Sequence, residues 1–367
     1  MEELSVPEFK KNLVVSPRIV EPTLRGVLRL VKLLPGNFRP KRLAGIDSVG
    51  RDVKAYLFLQ GGVTRREISN MFPRRTVHRD TGTGADGIKP ENIVWIFGSG
   101  RSGSTWLSTM MGDIEGHALW GEPWVGTLFG RFYYNSGVDR KKHQSEQFIL
   151  GSHRDTWLGS IRNFVLDAAA ATFPGLGKED YLIIKEPNGS IGAPLMMEAF
   201  PESRMILLVR DPRDVVASSM DARSEGGWNY ERNKAVYQKK QRAPANRDRD
   251  TFAKKRAKNY MEGMGKAKEA YDAHGGPKVL IRYEELRSDT LGTMKRMYST
   301  LGIPVDEGEL ARVVEKHSWE NIPEEEKGEG KFYRKATPGG WREDLTPEQA
   351  EAVENITAPL LKELYPG

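Results

Sequence analysis

The sequence predicts an α/β fold built on an open, mainly parallel sheet flanked by helices, and three observations carry that prediction. Four short apolar runs recur: Asn92–Phe97 (NIVWIF), Tyr181–Lys185 (YLIIK), Arg204–Arg210 (RMILLVR) and Lys278–Tyr283 (KVLIRY). None alternates with polar residues, as expected for strands buried on both faces. Each is followed by a helical pattern, and strand–helix alternation gives a doubly wound sheet.

What stands at the ends of the runs points to a ligand. They finish in Gly98-Ser99-Gly100-Arg101, Lys185-Glu186, Arg210-Asp211 and Tyr283-Glu284. Such sheets bind ligands beyond the carboxyl ends of their strands. Parallel runs would therefore bring a glycine loop and three cationic groups to one edge, a site suited to a polyanion.

Composition excludes several classes. The 367 residues contain no cysteine, so disulfides, thiolate metal sites and thiol catalysis are ruled out. A net charge of +6 is too small for this length to argue for nucleic acid. It is unevenly spread, with 11 Lys and Arg against 3 Asp and Glu between Asn229 and Lys258. No run of about 18 apolar residues suggests a membrane span, and MEELSVPEFKKN lacks a signal-like apolar stretch. Cytoplasmic placement is the expectation, with the basic segments available to an acidic partner or a membrane surface. The sequons at Asn188 and Asn355 then read as chance matches.

The domain reading is an N-terminal extension over 1–90, helical and packed on the core, followed by a domain over 91–367 with a basic insert at about 229–258. Leu24–Leu34 alternates basic and apolar residues before Pro35-Gly36. It reads as an arm on the main domain or a helix that meets a membrane or partner.

The segment Gly98-Ser-Gly-Arg-Ser-Gly103-Ser-Thr-Trp106 lies between a strand and a helix, where glycines and helix N–H groups can cradle a phosphate-like anion. It departs from a nucleoside triphosphatase loop. Ser104 occupies the usual lysine position, the cation is Arg101 inside the loop, and no clear acidic strand end follows for magnesium.

This loop resembles the 5′-phosphosulfate loop of sulfotransferases that use 3′-phosphoadenosine-5′-phosphosulfate (PAPS). Arg210-Asp-Pro-Arg-Asp-Val-Val-Ala-Ser218 resembles the family's 3′-phosphate segment, and Arg334-Lys-Ala-Thr-Pro-Gly-Gly-Trp-Arg342 its late Arg-Lys-Gly segment. The three matches occur in family order and cover roughly 92–360, with a P-loop-like architecture implied. The resemblance implies PAPS as sulfuryl donor, 3′-phosphoadenosine-5′-phosphate (PAP) as product, and no metal.

Carried onto this sequence, the resemblance assigns Gly100, Arg101, Ser102, Gly103, Ser104, Thr105 and Trp106 to the phosphosulfate end. It gives Arg210, Ser218, Arg334, Lys335 and Ala336 to the 3′-phosphate, and Tyr283 and Trp319, with Trp106, to the adenine. Ala336 stands where the family usually has Gly. Pro187 stands where the phenol- and steroid-sulfating branch has its catalytic His, so the chain looks closer to the carboxylate-base branch.

Glu122, in Trp120-Gly-Glu-Pro-Trp124, is the candidate base, with Arg101 and Lys185 as its catalytic partners. Glu186, His117 and His153 are the alternatives. Trp120, Trp124, Phe129, Phe132, Tyr133 and Tyr134 would line an acceptor pocket or pack as core. The acceptor is expected to be a hydroxyl on a small molecule, lipid, glycan or carrier. Two rival readings are a P-loop kinase and a non-catalytic protein that binds anions or membranes.

Overall fold

The computed structural model describes residues 87–135, 152–240 and 242–365. The expected N-terminal extension and its Leu24–Leu34 stretch lie outside the described residues, apart from 87–90.

Five strands form one parallel sheet: β1 (Ile93–Gly98), β2 (His117–Gly121), β3 (Tyr181–Lys185), β4 (Arg204–Val209) and β5 (Lys278–Arg282). Their spatial order is β2-β3-β1-β4-β5. The connection from β1 runs to one edge, whereas the connection from β3 crosses to the other side of β1. The carboxyl end of β1 thus lies where the winding direction changes, the usual place for a ligand in such sheets.

The four expected runs are all strands. β2 was not expected: HALWG is short, begins with His, ends with Gly and is an edge strand whose residues are only partly buried. It offers too little apolar weight to register as a buried run.

The strands separate two cores. On one face Trp95, Phe97, Leu182, Ile184, Met205 and Leu207 pack against α3 (Arg154–Thr172) and α4 (Ala193–Ala199). On the other, Val94, Ile96, Ile183, Ile206 and Leu208 meet α1 (Ser104–Gly112) and α9 (Thr290–Leu301). A two-sided core explains why these strands show no polar alternation. Between these helices run α2 (Phe132–Asn135), α5 (Pro212–Arg223), α6 (Trp228–Lys239), α7 (Arg249–Ala273) and α8 (Tyr283–Ser288). The chain closes with α10 (Glu307–Lys316), α11 (Trp341–Asp344) and α12 (Pro347–Leu364).

Side-chain caps begin several helices. Asp211 accepts from the Arg213 N–H at the start of α5, and Asp248 from the Thr251 N–H at the start of α7. Thr346 and Gln349 form a reciprocal capping box on α12.

The basic insert divides differently from its expected limits. α6 ends at Lys239, Pro244 and its neighbours form a connection, and residues from Arg249 onward begin the 25-residue helix α7. Ala253 and Ala257 are fully buried, continuous with Tyr260, Met264 and Ala267. The last part of the insert is therefore core. Its apolar stripe consists largely of alanines, which carry little weight among so many Lys and Arg.

Phe200 tests this packing away from the strand ends. It is fully buried, 5.6 Å from the Trp95 ring and beneath the Arg162 guanidinium. Phe200→Ala should lower unfolding free energy by about 3–5 kcal/mol, read as a shift in urea midpoint. A loss under about 1 kcal/mol would mean that the site collapses around the smaller residue.

Candidate active site

The carboxyl edge of the sheet opens into a cavity of 1650 Å³. Gly100, Arg101, Gly103, Ser104, Thr105, Trp106, Glu122, Lys185, Arg210, Ser218, Tyr283, Trp319, Arg334, Lys335 and Ala336 all line it. Ser102 does not. Its side chain is buried and donates to the Ser99 carbonyl at 2.6 Å, so it closes the loop from beneath.

The loop is held from several sides. Ser190 Oγ donates to the Gly98 carbonyl at 2.7 Å and accepts the Gly98 N–H at 3.0 Å. Gly103 has φ +86° and faces the Tyr283 ring, which a Cβ would approach to 2.6 Å. No side chain caps the N-terminus of α1, leaving its first N–H groups toward the cavity.

Arg256, on α7, braces the loop from outside, and the sequence reading missed it. It donates to Ser219 Oγ (3.0 Å), Ser99 Oγ (2.7 Å) and the Gly100 carbonyl (2.9 Å). Burial, with added repulsion from Arg223 and Arg101, holds its guanidinium down to about 10.

Arg101 lines the cavity and bridges two of the segments singled out in the sequence. Its Nε donates to Ser218 Oγ at 3.0 Å and its Nη2 to the Phe332 carbonyl at 2.8 Å. It thus joins the glycine loop to α5. Burial, then repulsion from Arg210, lowers it to about 10.

Arg210 stacks 4.2 Å over the Tyr283 ring and donates to the Arg101 carbonyl at 3.0 Å. Its buried Nε has no hydrogen-bond partner among the described residues. Asp214 was also missed. Fully buried on α5, it accepts the N–H groups of Gly339 (2.8 Å) and Trp341 (2.9 Å), docking the late segment against α5. Arg334 bonds Asp344 at 2.7 Å, and Lys335 bonds Glu343 at 2.7 Å. Ala336, in the usual glycine position, keeps a left-handed φ of 50°.

Glu122 and Lys185 form the centre of the site. Lys185 Nζ lies 2.8 Å from Glu122 Oε1 and 3.1 Å from Thr105 Oγ1. Asn188 Nδ2 donates to Glu122 Oε2 at 2.7 Å. A carboxylate, an ammonium and a loop hydroxyl are thereby linked in sequence. Glu122 has φ 55° and Trp124 has φ 66°, backbone strain maintained by surrounding bonds. The Glu122 N–H donates to the Lys185 carbonyl at 2.8 Å.

The alternative bases lie elsewhere. Glu186 is 1% exposed, lies outside the cavity lining and accepts the Val125 N–H at 3.0 Å. It positions the turn that carries Glu122. His117 is at the amino end of β2, stacked on Tyr181, and His153 precedes α3; neither lines the cavity. Of the six aromatics grouped as an acceptor pocket, Trp124 lines the cavity, whereas Trp120, Phe129 and Tyr133 pack on the core.

A family model described as Sulfotransferase domain matches residues 91–365. Sulfotransferase 2A1 of Rattus norvegicus is 24% identical over 218 residues, covering 51% of this chain and 69% of that protein. A mouse sulfotransferase solved in complex with PAP is 16% identical with a TM-score of 0.46, covering 74% of this chain and 85% of the other. A sulfotransferase structure from Mycobacterium avium is 13% identical with a TM-score of 0.48, covering 98% and 95%.

Glu186 gives the site a pH dependence. Burial raises its carboxyl from 4.5 to about 7, so the folded chain binds this proton more tightly than the unfolded chain. The contribution to stability is full below about pH 4.5 and falls through about pH 7, by at most about 3 kcal/mol. Glu186→Gln should remove this fall from a plot of urea midpoint against pH. Parallel wild-type and variant plots across that window would show that another group titrates.

Proposed function

The chain belongs to the sulfotransferase domain family, and from that premise we propose that it moves a sulfuryl group from PAPS to an acceptor hydroxyl, with Glu122 as general base. The observation that carries this reading is the connected set Thr105, Lys185 and Glu122, with 3.1 Å and 2.8 Å between successive partners. It sets a proton acceptor beside a cation on the phosphosulfate loop.

The residues present fit the donor. PAPS supplies an activated sulfuryl group on a mixed anhydride, with a second anion at its 3′-phosphate. The buried, unpartnered Nε of Arg210 offers a donor for the latter, beside Ser218 and Arg101. Arg101 and Arg210 crowd one another without a full complement of carboxylates, so an anion between them relieves repulsion. Trp106, Tyr283 and Trp319 supply aromatic faces for adenine.

In the transfer, the acceptor oxygen bonds to sulfur as the bond from sulfur to the bridging phosphate oxygen breaks. The electron pair leaves with the phosphate, and the hydroxyl proton passes to Glu122. Lys185 and Thr105 stabilise charge developing on the leaving oxygen and sulfuryl group. Glu186 and Asn188 orient the base.

Two measurements test the reading. Glu122→Gln should lower single-turnover transfer by about 10²–10⁴-fold, with PAP affinity changed by less than about threefold. Near-normal transfer would exclude Glu122 as the base; loss of PAP binding as well would make it structural. Arg210→Ala should weaken PAP about 10–100-fold more than the analogue without a 3′-phosphate. Equal weakening would place the 3′-phosphate elsewhere. Tight magnesium-free PAP binding also separates this reading from a kinase, which should require magnesium–ATP.

A further inference from the structure

The cavity carries more positive charge than its donor requires. Among the described residues, twelve Lys and Arg line it against three carboxylates, Glu122, Asp248 and Glu262. PAPS brings roughly four negative charges. Even with Lys185, Arg334 and Lys335 matched by their own carboxylates, a surplus remains, and much of it lies on one wall.

That wall consists of α6, the connection after it and the first turns of α7. α6 presents Trp228, Asn229, Arg232, Asn233, Val236 and Tyr237 to the cavity, a spacing that selects one helical face. Arg242 follows on the connection, Lys255 lies on the inward face of α7, and Arg223 ends α5 nearby. Glu262 lies beyond Lys255 on α7, whereas Asp248 already accepts the Thr251 N–H at 3.1 Å.

Some cations outside the cavity have carboxylate partners, as Lys234 has Glu231 and Arg247 has Glu225. Arg223, Arg232, Arg242 and Lys255 face inward, and none has a carboxylate within 4.0 Å among the described residues. Unpaired cations gathered on a concave surface favour a multiply charged anion. A lone carboxylate would leave most of them unmatched, whereas a phosphate offers three oxygens and close to two charges.

We propose that the acceptor is a phosphorylated molecule, its phosphate held by Arg223, Arg232, Arg242 and Lys255 while its hydroxyl meets Glu122. This rests on the sulfuryl-transfer reading for the identity of the neighbouring donor site. The amides of Asn229, Asn233 and Asn259 on the same wall supply hydrogen bonds to further oxygens of the acceptor.

The test uses the full chain saturated with PAP, so that phosphate cannot report on the donor site. Calorimetric titration with inorganic phosphate and with glycerol 3-phosphate should show one further site per chain, with glycerol inert. The Arg232→Ala, Lys255→Ala double variant should weaken that site about 10–100-fold, with PAP affinity serving as the check on folding. A parallel arm measures sedimentation with phosphatidylglycerol vesicles against phosphatidylcholine vesicles. Binding of the soluble ester alone identifies a free phosphorylated acceptor; vesicle retention lost in the double variant identifies a lipid headgroup. No phosphate site in either arm, or one undiminished in the variant, overturns the proposal. Failure to bind PAP at all would instead count against the donor reading. Phosphate titration of the nucleotide-free chain and its double variant would then judge this wall by itself.

Discussion

A side chain at position 98 would place its Cβ 2.6 Å from the Leu208 carbonyl, closer than real contacts allow. The central strand can therefore end between β3 and β4 only in glycine. Ser190 uses the space so created, bonding both the N–H and the carbonyl of that residue. The glycine loop starts from this fixed point. Its left-handed turns at Arg101 and Gly103 follow, and Tyr283 packs directly against the second. Displacing that start would move the loop, α1 and the Tyr283 ring together.

Around this anchor, charge and strain are concentrated where an anion can relieve them. Among the described residues, five other than glycine have positive φ, and four of them line the cavity: Arg101, Glu122, Trp124 and Ala336. Such conformations cost roughly 1–3 kcal/mol each and persist only where the surroundings enforce them. Burial and mutual repulsion weaken proton binding at Arg101 and Arg256. The two cores on either face of the sheet supply the rigidity that keeps these groups in place.

The sheet was legible because strands buried on both faces leave an uninterrupted apolar signature, and the candidate site because most of the residues that line it cluster in three compact segments. β2 was not legible, since an edge strand of five partly buried residues has no such signature. Arg256 was hidden for a different reason. Its neighbours Ala253 and Ala257 bury a helix face with very little hydrophobic mass, so a core helix resembled a solvated basic stretch. Asp214 lay within a segment already singled out, but its task depends on Gly339 and Trp341, more than 120 residues away. Ser102 shows the converse: a residue inside a recognisable motif whose side chain stays out of the cavity.

The two sides of the cavity also differ in how firmly they are tied to the fold. The groups at the sheet edge project from strand ends and from helices embedded in the cores, whereas Tyr230 is the single buried residue of α6. Substitutions on the inward face of α6 thus remove little buried surface, and surface changes of this kind usually alter stability by under about 0.5 kcal/mol. Sequence drift can rewrite that wall without disturbing the sheet edge. Descendants of such a chain can change what the α6 wall recognises far more readily than what the sheet edge holds.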